Sequence, residues 1–479
     1  DRISFAVGHG CSVEWDGVEN QTTGVVRTEY LPTREVPDVS PEITDLDGDF
    51  LSLSYLSNGD VPIEEVCSFL HAFVDAYEVW LLSQKEQLVD ASLEPAKARI
   101  LGRIEQAAGR MRRGISLLGN DPLAHRVFCL ANRAMLMQMV HSQFKKCEKG
   151  ESSAETPDYY SKEFAKIRWR PFQLAFQLLS IDSVINEDSE DRDIVDLIWF
   201  PTGGGKTEAY LVMAAMAIFH RRLKYGEEGY GTAVLKRYTL RLLTSQQFER
   251  ASRLICACEA IRDENPELGT EPITLGLWVG EGSSPNAFTS NDGGRGAMEK
   301  HEKALNDEKP NNFFSLTACP WCGTSIYPRI QQESVDFYGV RATTTSFEIF
   351  CPEEKCRFHN LLPVNVVDQH LYKYPPTFVV ATIDKLARAA WDHKSRSLFG
   401  FRSRGKRVKP PSLIIQDELH LISGPLGTVA GIYECAFDVL MDRPKVIAAT
   451  ATIRRAQQQV RQLYGRDVSV FPPPGMLAS

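Results

Sequence analysis

Residues 194–217 join three kinds of local structure in an order that few folds accept. An apolar run, Ile194-Val-Asp-Leu-Ile-Trp-Phe200, leads into a glycine turn, Pro201-Thr-Gly-Gly-Gly-Lys-Thr207. A stretch of helix formers, Glu208-Ala-Tyr-Leu-Val-Met-Ala-Ala-Met-Ala217, follows at once. A nearly continuous apolar run reads as a strand buried on both faces. Glycines let successive backbone N–H groups converge on phosphate oxygens, and the start of a helix adds its positive end. Within such a loop, Thr202, Gly203, Gly204 and Gly205 would cradle a nucleotide's phosphates. Lys206 would reach the β- and γ-phosphates, and the Thr207 hydroxyl would ligate Mg²⁺. The strict eight-residue pattern asks for Gly at position 200, where Phe stands. The strand–loop–helix context carries the assignment.

A second run supplies the other half of such a site. Leu413-Ile-Ile-Gln416 is a short apolar strand that delivers Asp417 and Glu418 to its carboxyl end, where open α/β sheets bind ligands. Asp417 is expected to hold the magnesium through water, and Glu418 to orient and polarise the attacking water. Further apolar runs at 232–238, 273–279, 377–381 and 445–449 alternate with helical patterns. The spacing predicts a parallel, doubly wound α/β sheet.

Asp417-Glu-Leu-His420 resembles the DExH box of superfamily 2 helicases and translocases, and other segments fall in that superfamily's order. The resemblance implies a RecA-like fold and assigns further roles. Gln173, in Arg170-Pro-Phe-Gln173, would contact adenine. Arg237 and Arg241, in the run from Arg237 to Gln247, and Thr382, in Ala381-Thr-Ile-Asp-Lys-Leu386, would grip a nucleic-acid backbone. Thr450 and Thr452, in Ala449-Thr-Ala-Thr452, would couple hydrolysis to lobe movement. A narrower similarity rests on Val7-Gly-His-Gly-Cys11, Trp169 to Gln177, Arg237 to Thr244 and Asp417 to Gly427. These segments resemble the helicase component of DISARM, a bacterial anti-phage system. That family implies DNA as substrate and a partner protein bearing a domain of unknown function.

The separation between the two ATP-site motifs exceeds what one such sheet needs, and the cysteines show where the excess lies. Cys319-Pro-Trp-Cys322 and Cys351-Pro-Glu-Glu-Lys-Cys356 stand 28 residues apart. Two such knuckles bring four thiolates to the corners of a tetrahedron, which suits a closed, structural Zn²⁺ site. A redox Cys-x-x-Cys reading leaves the second pair unexplained. His359 is an alternative ligand to Cys356. Eleven cysteines in an ATP-using chain favour reduced thiols in the cytoplasm over disulfides. Net charge is −8, so nucleic acid would have to meet local basic surface. From Lys394 to Lys409 the chain carries seven Lys or Arg and no acid, with Phe399 and Phe401 among them. That run is a second candidate for nucleic-acid contact.

The expected organisation is an N-terminal part over 1–160, mixed and then helical, and a RecA-like lobe over 161–479. A zinc-ribbon-like insertion occupies 281–370. Helices are read from Ile63 to Lys149, with Val66, Phe69, Leu70, Phe73, Val74, Tyr77 and Trp80 on one face. Asp121 and Pro122 would open one of them. Asp182–Asp193 reads as a solvated acidic loop, and no apolar run has membrane-spanning length. The chain begins at Asp1 without Met and stops soon after the Thr450 motif. A fragment lacking a second RecA-like lobe is therefore expected. The reading is an ATP-dependent DNA helicase or translocase core using ATP, Mg²⁺ and Zn²⁺. An RNA helicase, or a nucleotide-gated binding or scaffold module with little turnover, is the alternative.

Overall fold

The computed structural model describes residues 11–16, 24–29, 51–152, 155–200, 203–238, 245–290, 296–401, 407–451 and 455–473. Two units separate by contact, one of residues 1–40 with 477–479, the other of residues 41–476. In the first, β1 (Ser12–Asp16) and β2 (Val25–Glu29) pair antiparallel. The sequence alternates like short strands at Ser4-Phe-Ala-Val7 and Ser12-Val-Glu-Trp15; the second forms β1, and the first lies outside the described residues.

The second unit opens with helices α1 (Leu53–Leu56), α2 (Ile63–Glu86), α3 (Glu94–Asn120), α4 (Pro122–His141) and α5 (Pro171–Ile185). Asp121 caps α4 as its sequence predicts: its carboxylate accepts from the Leu123 N–H at 2.9 Å, with Pro122 in the first turn. On α2, Val66, Leu70, Phe73 and Val74 are buried, but Phe69 and Trp80 are exposed. The buried stripe is therefore narrower than the periodicity suggested. Among the described residues α2 is the one helix long and apolar enough to cross a membrane by length and composition. Its polar side is committed to α3, where Arg112 pairs with Asp75 and Glu78.

Strands and helices then alternate. The order is β3 (Val195–Trp199), α6 (Lys206–Tyr225), β4 (Val234–Tyr238), α7 (Ser245–Glu264), β5 (Leu275–Trp278) and α8 (Ala297–Leu305). Next come a small antiparallel hairpin of β6 (Val340–Ala342) and β7 (Phe347–Ile349), then β8 (Val364–Asn365), α9 (Asp368–Lys373), β9 (Phe378–Thr382) and α10 (Ile383–Ala387). β10 (Leu413–Gln416), α11 (Gly424–Leu440), β11 (Lys445–Thr450), α12 (Ala456–Tyr464) and β12 (Val468–Phe471) complete the chain.

Eight strands form one sheet in the order β12-β3-β11-β10-β4-β9-β5-β8. Every pairing is parallel. The sheet is the doubly wound, RecA-like α/β fold. Side chains alternate between two cores. Ile198, Leu413, Ile415, Ile447 and Ala449 join the core shared with α4, α5, α6 and α7. Val195, Leu197, Ile414, Val446 and Ala448 join the opposite core, with α11 and α12. Both faces are covered, which is why the strands read as nearly unbroken apolar runs. The chain leaves β3 and skips two positions to form β4, so β11 and β10 later fill the gap. That reversal places the loop after β3 at a switch point, where such sheets hold ligands.

The acidic stretch before β3 is only partly solvated: Glu187, Asp188 and Glu190 are exposed. α5 runs on to Ile185, and Ser189, Asp191 and Arg192 are buried. Asp191 is drawn inward by Arg110 and Arg113 of α3.

Candidate ATP site and four-cysteine centre

Gly203 and Gly205 take left-handed backbone conformations, with φ of 84° and 93°, and Gly205 caps α6. A Cβ at Gly205 would stand 2.6 Å from the Gln173 amide nitrogen, so the loop needs glycine there for space as well as torsion. Thr202 lies outside the described residues. Lys206 donates from Nζ to the Phe200 carbonyl at 2.5 Å, folding back on its own loop. Burial pushes its pKa down, against the pull of Glu418 and Asp417.

β10 lies between β4 and β11, and its end brings Asp417 and Glu418 to the loop. The Asp417 Oδ2 accepts from the Tyr210 hydroxyl at 2.6 Å, and its Oδ1 accepts from the Glu418 N–H at 3.0 Å. Tyr210 also lies 3.3 Å from the Thr207 hydroxyl. It therefore touches both residues expected at magnesium. Tyr210 stands one helical turn beyond Thr207, on the same face of α6, so the 3.6-residue period could have flagged it. Glu418 occupies the left-handed region with φ 48°, a strained place for a side chain of its size. Burial, then the neighbouring Asp417 charge, raises the Glu418 pKa, and Lys206 and His420 only partly oppose this. His420 stands between two motifs, with Nδ1 3.0 Å from the Thr450 hydroxyl and 3.4 Å from Glu418 Oε2. Thr450 thus reaches the Asp-Glu motif through His420; Thr452 lies outside the described residues.

Several expected contacts are placed elsewhere. Gln173 is buried beneath the loop, its Oε1 accepting from the Arg170 N–H at 2.9 Å and its Nε2 donating to the Gly205 carbonyl at 2.8 Å. Arg170 grips the Gly204 carbonyl. Gln173 is thus a brace of the phosphate loop here, with both ends of its amide engaged, rather than a side chain held out to a base. Arg237 is 1% exposed and ion-paired with Glu434 of α11, and it donates to the Tyr464 hydroxyl at 3.3 Å. It is an internal cation, not a free phosphate contact. Thr382 is likewise buried, at the start of α10, and its hydroxyl finds no partner among the described residues. Arg241 lies outside the described residues. Phe399, expected on a basic surface, is buried and stacks on Phe437 with ring centroids 5.6 Å apart. Residues 402–406 of that run lie outside the described residues.

Sequence reasoning also missed Lys236 on β4. Its ammonium is fully buried against the faces of Tyr210 and Tyr238, 4.4 and 4.8 Å from the ring centroids, with no hydrogen-bond partner among the described residues. Burial pushes its pKa down to about 8, even with Asp417 nearby.

The insertion gathers its thiols as the knuckle spacing predicts. The sulfurs of Cys319, Cys322, Cys351 and Cys356 all lie within 4.8 Å of one another, and all four residues are buried. Hydrogen bonds from Cys319, Cys351 and Cys356 hold the Cys322 thiol below its ordinary range, while burial pushes Cys319 above it. Four soft donors closing on one point fit Zn²⁺ without an open position. His359 instead turns Nδ1 to the Cys351 carbonyl at 2.9 Å. The first knuckle ends on Gly323, φ 82°, where a Cβ would meet the Lys145 carbonyl at 2.4 Å. This close approach lets Cys147 N–H donate to Gly323 and lets Ser325 N–H donate to Cys147. His141 of α4 stacks on Trp321 at 3.7 Å. From the second knuckle, Arg357 reaches Asp263 and Glu264 of α7. The centre is clamped between the N-terminal helices and the sheet's helical layer.

No protein-family model matches the chain. The DISARM protein DrmA of Bacillus paralicheniformis is 34% identical over 528 residues, taking in 98% of this chain and 46% of that protein. The chain therefore spans about half the length of the curated relative it matches. Among solved structures, the Mycobacterium smegmatis helicase Lhr bound to ssDNA and AMP-PNP matches at 15% identity and TM-score 0.35, over 62% of this chain and 25% of that one. The DUF1998 helicase MrfA bound to DNA matches at 15% identity and TM-score 0.33, over 68% of this chain and 32% of that one.

Proposed function

With its similarity to the DISARM protein DrmA running along nearly the whole chain as the premise, we propose that the chain is the nucleotide-binding lobe of an ATP-driven DNA helicase or translocase of anti-phage defence. The observation that carries the ATP chemistry is the meeting of two distant segments. The loop Gly203–Thr207 and the strand end Asp417–Glu418 are tied together through Tyr210. That constellation suits γ-phosphoryl transfer to water, where positioning and charge stabilisation dominate.

In this reading Lys206 exchanges the Phe200 carbonyl for phosphate oxygens. Thr207 and Asp417 hold Mg²⁺, whose charge offsets that of the phosphates when bound. Glu418 orients the attacking water and accepts its proton, and a raised pKa suits a general base. The His420–Thr450 contact passes the state of the Asp-Glu motif to β11. Full turnover calls for a second RecA-like lobe, because a charge supplied across the cleft is worth about 10³–10⁵ in related phosphate chemistry. DNA is the proposed substrate, and a subunit bearing a domain of unknown function is the proposed partner. Zinc is the proposed structural metal at the four cysteines. The cytoplasm is the proposed compartment, since a thiolate centre needs reducing conditions.

Glu418→Gln tests the chemistry. In the full-length protein it should retain Mg·ATP binding and lose about 10²–10⁴ in DNA-stimulated turnover, the usual range for a general base. Unchanged turnover would remove Glu418 from that role.

A further inference from the structure

A tryptophan side chain left in water needs a reason. Trp391 is 84% exposed, more than any other described large apolar side chain except Leu88. It follows α10 and the 3₁₀ turn Arg388–Ala390, at the carboxyl end of β9. That end lies on the same edge of the sheet as Asp417, two strands away across β4. At about 4.8 Å per strand the separation in the sheet is roughly 10 Å.

The turn is built rather than loose. The Trp391 N–H donates to the Arg388 carbonyl at 2.9 Å, and the Asp392 N–H donates to the same carbonyl at 3.1 Å. Asp392 then caps the next 3₁₀ segment, His393–Phe399, by accepting from the Lys394 N–H at 3.0 Å. Ser395 ties the corner to the Asp392 carbonyl at 2.7 Å. These bonds fix the backbone on which the indole stands.

Cations flank it along the chain. Arg388, Lys394 and Arg396 are exposed, and with Asp392 counted against them residues 388–396 carry a net charge of +2. Lys394 and Arg396 also line a groove of about 980 Å³ with Lys373, Tyr372, Tyr374 and one acid, Glu271, and Trp391 stands outside that lining. Tyr374 is itself 57% exposed. An exposed aromatic on a basic track is the chemistry that holds single-stranded nucleic acid, where bases stack and cations follow the backbone.

We propose that Trp391 is a stacking platform for a base of a single nucleic-acid strand whose backbone follows Arg388, Lys394 and Arg396. The inference rests on the reading of the chain as a DNA-acting motor and assigns one contact within it. It also replaces the buried Arg237 and Phe399 as the strand-gripping surface. Stacking on an aromatic face tolerates any base, so this contact sets affinity without choosing sequence.

The test uses full-length protein and two fluorescein-labelled DNA strands of equal length, one normal and one with several contiguous abasic positions. Trp391→Ala should weaken binding of the normal strand about 5- to 150-fold, the range of one lost base–aromatic stack. Trp391→Phe should restore most of it. On the abasic strand the wild type and Trp391→Ala should bind alike. Because the side chain is exposed, the melting temperature should not change. If the wild type binds the normal strand and Trp391→Ala binds it equally well, this inference falls while the motor reading stands, and Trp391 belongs to a protein contact. A loss of the same size on both strands also overturns stacking. Failure of the wild type to bind any strand overturns both readings.

Discussion

The sheet holds two clusters of charge, and they are finished to different degrees. At the amino ends of the strands, Asp196 of β3 is 0% exposed and meets two guanidinium nitrogens of Arg110 at 2.6 and 2.9 Å. On its other side lies Lys445 of β11, also 0% exposed, at 2.9 Å. Lys445 further donates to the carbonyls of Asp191 and Ile194. Burial alone would push the Asp196 carboxyl up, but Lys445 and Arg110 outweigh it and hold its pKa below the usual range. At the carboxyl ends the charges are held differently. Lys206 donates to a backbone carbonyl, Glu418 is pushed toward its neutral form in a strained backbone, and Lys236 lies against two tyrosine rings with Asp417 and Glu208 near it. The contrast teaches a division of labour. Paired charges join α3 to the strands, while Glu418 and Lys236 keep shifted pKa values near the end of the sheet where the proposed nucleotide would bind. The four thiols are a third case, a buried group whose complement would be a cation from outside the chain.

Metal removal should have the largest effect. Structural zinc supplies about 10–16 kcal/mol of apparent binding energy in small finger peptides, and that energy is folding energy. Purified protein should carry about one Zn per chain, the count a single four-thiolate site implies. Stripping it should open residues 319–356 to proteolysis while the distant phosphate loop still binds nucleotide. Zinc-free protein whose four thiols alkylate freely under native conditions would sink the metal site.

Breaking the saturated cluster comes next. Asp196→Ala leaves Arg110 and Lys445 buried without their shared carboxylate, a change that costs about 3–5 kcal/mol. Urea denaturation at neutral pH reads it. The sign of the pH dependence follows from the depressed pKa. The Asp196 contribution is present above the ordinary carboxylate range and is lost as pH falls through its lower folded value. A cost under about 1 kcal/mol would mean the cluster is not the brace its geometry suggests.

Lys236→Met should act in the opposite direction. A folded pKa of about 8 against an ordinary value near 10.4 corresponds to a penalty of roughly 3 kcal/mol for the buried ammonium. The substitution should therefore stabilise the protein at pH 7, less whatever the tyrosine faces return. Below about pH 8 the lysine is protonated in both states and the penalty is complete. As pH rises from there toward 10.4, the folded protein sheds the proton first and the penalty fades. The gain from Lys236→Met should shrink accordingly between pH 7 and pH 9.5. A destabilised Lys236→Met at pH 7 would erase the distinction between the two clusters.

The sequence by itself determined what depends on consecutive residues. The loop after β3, the Asp-Glu pair after β10, the Asp121 cap and the two cysteine knuckles are local devices, because backbone torsion, helix starts and ligand spacing are set within a few residues. Six of the eight strands of the large sheet were legible for the same reason, each being a run of apolar side chains. β8 and β12 were not, since short edge strands such as Val364–Asn365 and Val468–Phe471 carry little pattern. Only the tertiary structure decided which charges would meet. Arg110 reaches Asp196 because α3 packs over α5 beside β3, and Lys445 joins them because β11 enters the gap that β4 skipped. Arg237 looked like a phosphate contact until α11 delivered Glu434 to it. Tyr210 became a neighbour of Asp417 only when β10 settled near α6. A buried charge is satisfied or stranded by the elements the crossovers bring beside it. Strand order is a property of the whole chain that no single window of sequence contains.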